Sequence, residues 1–282
     1  MLLRPLSFHL PASVQEAAQL QASLPDVRIL AGGTFLINSL KLLKRKGSKT
    51  PAHIISLKNI KDLRGVTIQN HELLIKAMTI VNELYDSPHL RGNTAILREV
   101  CKNISTTPIR NMATIGGNLT CRYTWTEMGA IMIALEAKMH FIGADGQDEV
   151  IPSETFFKNG ARADKIFTHV AIPIDDTAIV AYERVKKSPN VDIPLLTVCL
   201  KAVVKDQTLT HVIVSINNGT AFAQRDSKLE HFLNGKKLSS TLPQEALGHL
   251  DTEIYDKRSD EYKQHMFRVS IKNALTKIIC EQ

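Results

Sequence analysis

Thr106-Thr107-Pro108-Ile109-Arg110-Asn111-Met112-Ala113-Thr114-Ile115-Gly116-Gly117-Asn118-Leu119 is the stretch that decides how this 282-residue chain is read. Pro108 marks a boundary, Thr114 and Asn118 offer short polar side chains, and Gly116-Gly117 leaves the backbone bare, so that its N–H groups can approach an anion such as a pyrophosphate. A second pair lies upstream. Arg28-Ile29-Leu30-Ala31-Gly32-Gly33-Thr34 reads as a short apolar strand running into a Gly-Gly-Thr turn, with a helix from Phe35 to about Lys44. Strand, glycine turn and helix start together form an anion cradle.

Working outward, Ser13 followed by Glu16 predicts a capping box ahead of an amphipathic helix rich in Ala and Leu. Lys41 to Lys49 is the densest basic run and fits either a solvated helix end or a docking patch. His53 to Ser56 reads as a strand, and 57–65 closes a first β-α-β-like unit. Val66-Thr67-Ile68 and Glu72 to Ala77 predict a hairpin across Gln69-Asn70-His71. Turn and helix signals alternate from Asn82 to Cys101. Met128 to Ala137 reads as an apolar helix, Lys138 to Ile142 as a strand, and Asp145-Gly146 as a hairpin turn, with a strand near 165–172 closing the sheet. Beyond Ala178, 191–204 and 210–217 are strand-like and 261–279 is helical.

Composition narrows the class. At 44% hydrophobic residues the chain is not disordered, and its length suits more than one core. The net charge of +7 is spread along the chain and aromatic content is only 5%, so no stacking platform for nucleic acid is present. Cys101, Cys121, Cys199 and Cys280 lie far apart, without the spacing of a zinc or iron–sulfur site. Prolines at 5 and 11 interrupt any secretory signal, and no segment approaches the ~18 apolar residues of a membrane span, which points to the cytoplasm. No histidine has metal-ligand spacing and no residue has the partners of a nucleophile or general base, so neither a metal site nor a catalytic residue is assigned.

Ala-Gly-Gly-Thr at 31–34 and Ile-Arg-Asn-x-Ala-Thr-Ile-Gly-Gly-Asn-Leu at 109–119 together resemble the FAD-binding medium subunit of the molybdenum hydroxylases, the xanthine dehydrogenase and carbon monoxide dehydrogenase type. Local similarities at 182–193, 230–235 and 256–262 extend the resemblance over nearly the whole chain. The resemblance implies an α+β chain: a two-subdomain FAD-binding fold of the PCMH/vanillyl-alcohol-oxidase-like type over 1–176, with subdomains at about 1–64 and 65–176, followed by a small α/β C-terminal domain over 177–282.

It also implies a site. Ile29, Leu30, Ala31, Gly32, Gly33, Thr34, Phe35 and Leu36 from the first motif, and Thr114, Ile115, Gly116, Gly117 and Asn118 from the second, would surround a non-covalent FAD. Glu127 would accept from its ribityl or ribose hydroxyls, or else cap the following helix. Ile104 and Phe167 match positions that pack against the flavin, and as apolar residues equally suit plain core. Phe35 replaces an acidic residue of many relatives, Glu183 stands at a basic position with Arg184, Lys186 and Lys187 close by, and Glu127 is one methylene longer than the usual Asp.

By the same resemblance this is an electron-transfer subunit. A molybdopterin-binding large subunit oxidises the organic substrate, an iron–sulfur small subunit passes the electrons on, and FAD here delivers them to NAD, oxygen or a quinone. The alternatives are a scaffold subunit that has lost FAD and an autonomous flavin oxidase, the second disfavoured because no further domain is present to roof the flavin.

Overall fold

The computed structural model describes residues 6–121, 126–160, 164–256 and 260–281. Part of the 256–262 similarity, residues 257–259, therefore lies outside the described residues. The first unit is a three-stranded parallel sheet of order β1-β3-β2, built from β1 (Ser7–His9), β2 (Val27–Leu30) and β3 (His53–Ser56). Helix α1 (Val14–Ser23) joins β1 to β2, and α2 (Leu36–Arg45) joins β2 to β3. Ser13 accepts from the Glu16 N–H as expected, while the Glu16 carboxylate reaches one residue further back, to the Ala12 N–H at 2.8 Å. The short strand β1, stopped by Pro11, carries too few residues for a pattern and was not anticipated.

The second unit is a five-stranded sheet of order β4-β5-β8-β6-β7. Its strands are β4 (Val66–Gln69), β5 (Glu72–Lys76), β6 (Lys138–Ile142), β7 (Asp148–Pro152) and β8 (Ile166–Pro173). The β4–β5 hairpin turns on Asn70 and His71, at φ 50° and 61°, the pair of left-handed residues that a type I′ turn requires. The Gly146 turn between β6 and β7 likewise falls where expected. β8 falls where a strand was expected, near 165–172, and lies at the centre of the sheet, between β5 and β6. Its central place explains its nearly continuous burial, which in sequence resembles an edge as much as a core strand.

Between these strands run α3 (Val81–Tyr85), α4 (Ile96–Asn103), α5 (Thr107–Arg110), α6 (Ile115–Thr120), α7 (Met128–Ala134) and α8 (Ser153–Asn159). All seven residues of α7 are buried. It ends at Ala134, short of the expected Ala137, because Glu136 adopts φ 55° and turns the chain into β6.

The third unit is an antiparallel sheet of order β12-β11-β10-β9: β9 (Ala178–Lys186), β10 (Pro194–Lys205), β11 (Thr208–Asn217) and β12 (Gln224–Arg225). The strand expected from 191 begins at Pro194, since 187–193 form the β9–β10 connection. Helices α9 (Ser227–Leu233), α10 (Leu242–Ala246), α11 (Thr252–Asp256) and α12 (Glu261–Cys280) follow. In α12 the buried residues Phe267, Ile271, Ala274, Leu275 and Ile278 recur at helical spacing, and that face packs on β9 and β10. β11 grips α7: Ser215 donates to the Ala130 carbonyl at 2.7 Å and the Asn217 amide to the Thr126 carbonyl at 2.5 Å. One large core spans the first two sheets and α7, and a second fills the space between the third sheet and α9, α10 and α12.

Candidate cofactor cradle

The first motif forms because β2 runs into a turn only glycine tolerates well. Gly33 sits at φ 73°, and the chain then enters α2 with Phe35 at the N-cap and no side chain capping the helix. The N–H groups of Gly32, Gly33 and Thr34 have no hydrogen-bond partner among the described residues. Three successive unsatisfied donors beside a helix start form a site that favours negative oxygen.

The two motifs touch. A β-carbon on Gly32 would lie 2.0 Å from the Met112 carbonyl oxygen and 2.9 Å from its carbon, so the glycine is required for backbone to meet backbone. Gly117 faces the same seam, where an added β-carbon would stand 3.8 Å from the Ala31 methyl and 2.9 Å from Thr114 Oγ1.

In the second motif the expected donors are otherwise occupied. The Ile115 N–H donates to the Thr79 carbonyl at 2.9 Å, Gly116 to the Ala77 carbonyl at 2.8 Å, and Asn118 to the Thr114 carbonyl at 2.9 Å, while Gly117 donates to the Thr114 hydroxyl at 3.1 Å. The expectation of free amides at Gly116-Gly117 is thus corrected: the Gly116 N–H, with that of Ile115, pins α6 to the residues just after β5, and the Gly117 N–H is taken by the Thr114 cap of α6 itself. Gly116 is bare because a β-carbon would meet the Ala77 carbonyl at 2.7 Å. What the second motif leaves open is the Asn118 side-chain oxygen, buried and without a partner among the described residues. A buried acceptor without a donor is costly, and a ligand hydroxyl or amine would satisfy it. Free donors at 32–34 and an orphaned acceptor at Asn118 fit a dinucleotide with anionic oxygens and hydroxyl groups.

Arg110 holds the approach to this seam. Its guanidinium donates to the carbonyls of Lys102, Ile104 and Ser105 at 3.0–3.3 Å, to Thr107 Oγ1 at 2.9 Å and to Asn82 Oδ1 at 3.1 Å. That clamp fixes a loop in which Ser105 adopts φ 47°. Ile104, at the C-cap of α4, is thereby placed partly buried against the main core. The clamp was not foreseen: Arg110 belongs to the quoted motif, but nothing local says that its donors fold back on residues 102–107.

Glu127 stands apart from the role expected of it. It is 4% exposed; the Tyr182 hydroxyl donates to one carboxylate oxygen and Arg184 Nε donates to the other at 2.5 Å. Burial pushes its carboxyl pKa up, against the pull of Tyr182 and Arg184, and burial beside this carboxylate pushes the Tyr182 phenol well up. Arg184 also donates to the Asp192 carbonyl at 2.5 Å. Glu127 therefore ties the start of α7 to β9 and to the 187–193 connection. Each of its oxygens thus already accepts from a protein donor, and it makes no side-chain cap on α7. Phe167 is buried on β8 with its ring 5.3 Å from that of Phe141, a core contact. Glu183 pairs with Lys277 at 2.7 Å.

A family model described as the FAD binding domain in molybdopterin dehydrogenase matches residues 4–175. The chain belongs to this family. The medium chain of carbon monoxide dehydrogenase from Hydrogenophaga pseudoflava is 28% identical over 281 residues, covering 95% of each chain. The beta subunit of caffeine dehydrogenase from a Pseudomonas strain is 25% identical, over 97% of this chain and 94% of its own. A solved structure of Hydrogenophaga pseudoflava carbon monoxide dehydrogenase lacking the Mo-pyranopterin moiety of its molybdenum cofactor superposes with a TM-score of 0.89 at 27% identity, covering 98% of each chain. These relatives are oxidoreductase subunits, and the chain is an FAD-binding medium subunit of the molybdenum-hydroxylase type. No helix among the described residues is long and apolar enough to cross a membrane.

Proposed function

We propose that this chain carries FAD as the electron-transfer subunit of a molybdenum-containing dehydrogenase, beside a molybdopterin-binding large subunit and an iron–sulfur small subunit in the cytoplasm. When bound, FAD supplies the means of taking up electrons and passing them to an acceptor such as NAD, oxygen or a quinone. The protein's part is binding and orientation. The amides of Gly32, Gly33 and Thr34 hold the pyrophosphate, the Asn118 oxygen accepts from a hydroxyl or amine of the cofactor, and Arg110 keeps Ile104 at the seam. The remaining motif residues, Ile29, Leu30, Ala31, Phe35, Leu36, Thr114, Ile115, Gly116 and Gly117, shape that seam. The free amides of 32–34, on a motif that packs against the second one, together with the buried Asn118 oxygen that has no partner among the described residues, are the observation that carries this reading.

The sheet limits support a division at about residues 64 and 176, with FAD between the first two units and 177–282 as a third that braces α7. A comparison of FAD with riboflavin tests the cradle. If backbone amides hold the pyrophosphate, the purified chain binds FAD at least ~100-fold more tightly than riboflavin, equivalent to about 2.7 kcal/mol. Equal affinities would remove the amides of 32–34 from the site, and binding of neither would favour a scaffold that has lost its flavin.

A further inference from the structure

From Val27 to Lys61 the chain has no acidic residue and eight Lys or Arg. This acid-free run includes α2, the helix that starts at the glycine turn. On α2 Leu36, Leu40 and Leu43 share the less exposed side of the helix, and of these only Leu40 is fully buried. Ile37, Lys41 and Arg45 follow one another at helical spacing on the opposite side, with Leu42 beside them. Ile37 is 42% and Leu42 48% exposed, and no ion pair engages Lys41, Arg45 or Lys46 among the described residues. One strand over, Phe8 shares a face of the sheet with its register partner Ile54; Ile54 is buried, whereas Phe8 is 54% exposed. The exposed side of α2 therefore sets apolar side chains among cations that have no ion pair among the described residues, and Phe8 on β1 is a further exposed apolar side chain of the same unit.

We infer that the outward face of α2, centred on Lys41, Leu42 and Arg45, is the docking surface for a partner subunit presenting carboxylates flanked by apolar side chains. The charge argues for an acidic partner, and the paired apolar residues argue for one that stays. A lipid surface fits less well, because Ile37 and Leu42 flank the cations and do not form a separate apolar face. Nucleic acid fits less well because this face offers no aromatic platform. The location adds a functional reason. No point on this ten-residue helix is more than ~15 Å along its axis from the glycine turn, so a redox subunit docked here lies close to a flavin held by the cradle. This inference rests on the proposal that the chain is a flavin subunit of a larger complex.

The test uses the full chain co-expressed with its molybdenum and iron–sulfur partner subunits and isolated through a tag on the partners. Wild type, Lys41→Glu/Arg45→Glu and the milder Lys41→Gln/Arg45→Gln are compared for flavin per chain and for retention against salt. Separately, a photo-crosslinking amino acid replaces Leu42 in the otherwise wild-type chain. The expected result is flavin content unchanged in all three. Charge reversal weakens association about tenfold or more at ~0.1 M salt, the glutamine pair weakens it less, and wild-type association falls as salt screens the contact. The crosslink joins residue 42 to an Asp- or Glu-containing segment of one partner. Retention and salt dependence identical to wild type, or no crosslink within an assembled flavin-containing complex, overturns the docking surface and leaves the flavin role standing. A wild-type chain without flavin and without partners overturns both. Binding to phosphatidylserine vesicles that is lost on charge reversal overturns it in favour of a membrane surface.

Discussion

Gly32→Ala places the smallest possible wedge between the two motifs. The added methyl would begin 2.0 Å from the Met112 carbonyl oxygen and 3.1 Å from the Ala113 α-carbon, all backbone atoms that cannot rotate away. A normal contact needs more than ~3 Å, so the two loops must part by about 1 Å. Overpacking of this kind costs roughly 1–3 kcal/mol, and here the upper end applies because nothing flexible can yield. Parting the loops also moves the Gly32–Thr34 amides away from Asn118, so that one ligand no longer reaches both. The expected result is a folded chain, with its melting temperature several degrees lower and FAD affinity reduced at least ~100-fold. Gly117→Ala is the comparison: its methyl would meet only Thr114 Oγ1 at 2.9 Å and Ala31 at 3.8 Å, costing about 1 kcal/mol through the helix cap. Equilibrium FAD titration and thermal unfolding of both variants read the difference. A Gly32→Ala protein with wild-type flavin affinity would refute the claim that contact between the motifs builds the site.

Four other outcomes follow from the same geometry. Gly117→Val, with a branched side chain at the seam, abolishes FAD binding while far-UV circular dichroism stays native; retained flavin would remove this position from the site. Glu127→Gln leaves Arg184 buried beside a neutral amide and lowers stability by about 3 kcal/mol in denaturant titrations, yet below the melting transition it keeps its FAD, because Glu127 faces Tyr182 and Arg184. Arg110→Ala frees three carbonyls and loosens the 102–107 loop, so FAD binding weakens by about tenfold, and proteolysis between 102 and 107 speeds up. Acid stability should depend on the stacked His140–His169 pair, 4.1 Å between ring centres, where burial and the neighbouring ring hold His169 down to about 4. The fold disfavours protonation of both rings, so the unfolded chain takes up protons first. Stability is full above the unfolded value near ~6.5 and falls as pH drops toward 4, by about 1–2 kcal/mol after allowance for a half-exposed ring. Replacing His169 by Asn should flatten the pH dependence of the melting temperature in that window, and an unchanged slope would contradict the assignment.

Features set by neighbouring residues were readable in the sequence. The Gly32-Gly33 turn, the Asn70-His71 hairpin, the Gly146 turn and the helical repeat of α12 each rest on local conformational preference or periodicity. Features set by distant contacts were not. That Gly32 is bare to admit Met112, that Gly116 is bare to admit Ala77, and that the Gly116 amide is spent on the Ala77 carbonyl all depend on packing between segments tens of residues apart. A glycine records that space is short without recording what fills it. Glu127 shows the same limit in charged form, since its partners Tyr182 and Arg184 lie more than fifty residues downstream. The parallel order β1-β3-β2 and the central place of β8 are likewise topological, and strand patterns carry no address for a partner strand.

The most direct test of the central claim is the visible absorbance spectrum of the purified chain, with and without added FAD, followed by release of bound flavin in denaturant. One equivalent of flavin per chain, released unmodified on unfolding, is the expected result. A folded, colourless chain that takes up no FAD would contradict it, and would leave the free amides at 32–34 and the orphaned Asn118 oxygen to be explained by some other ligand.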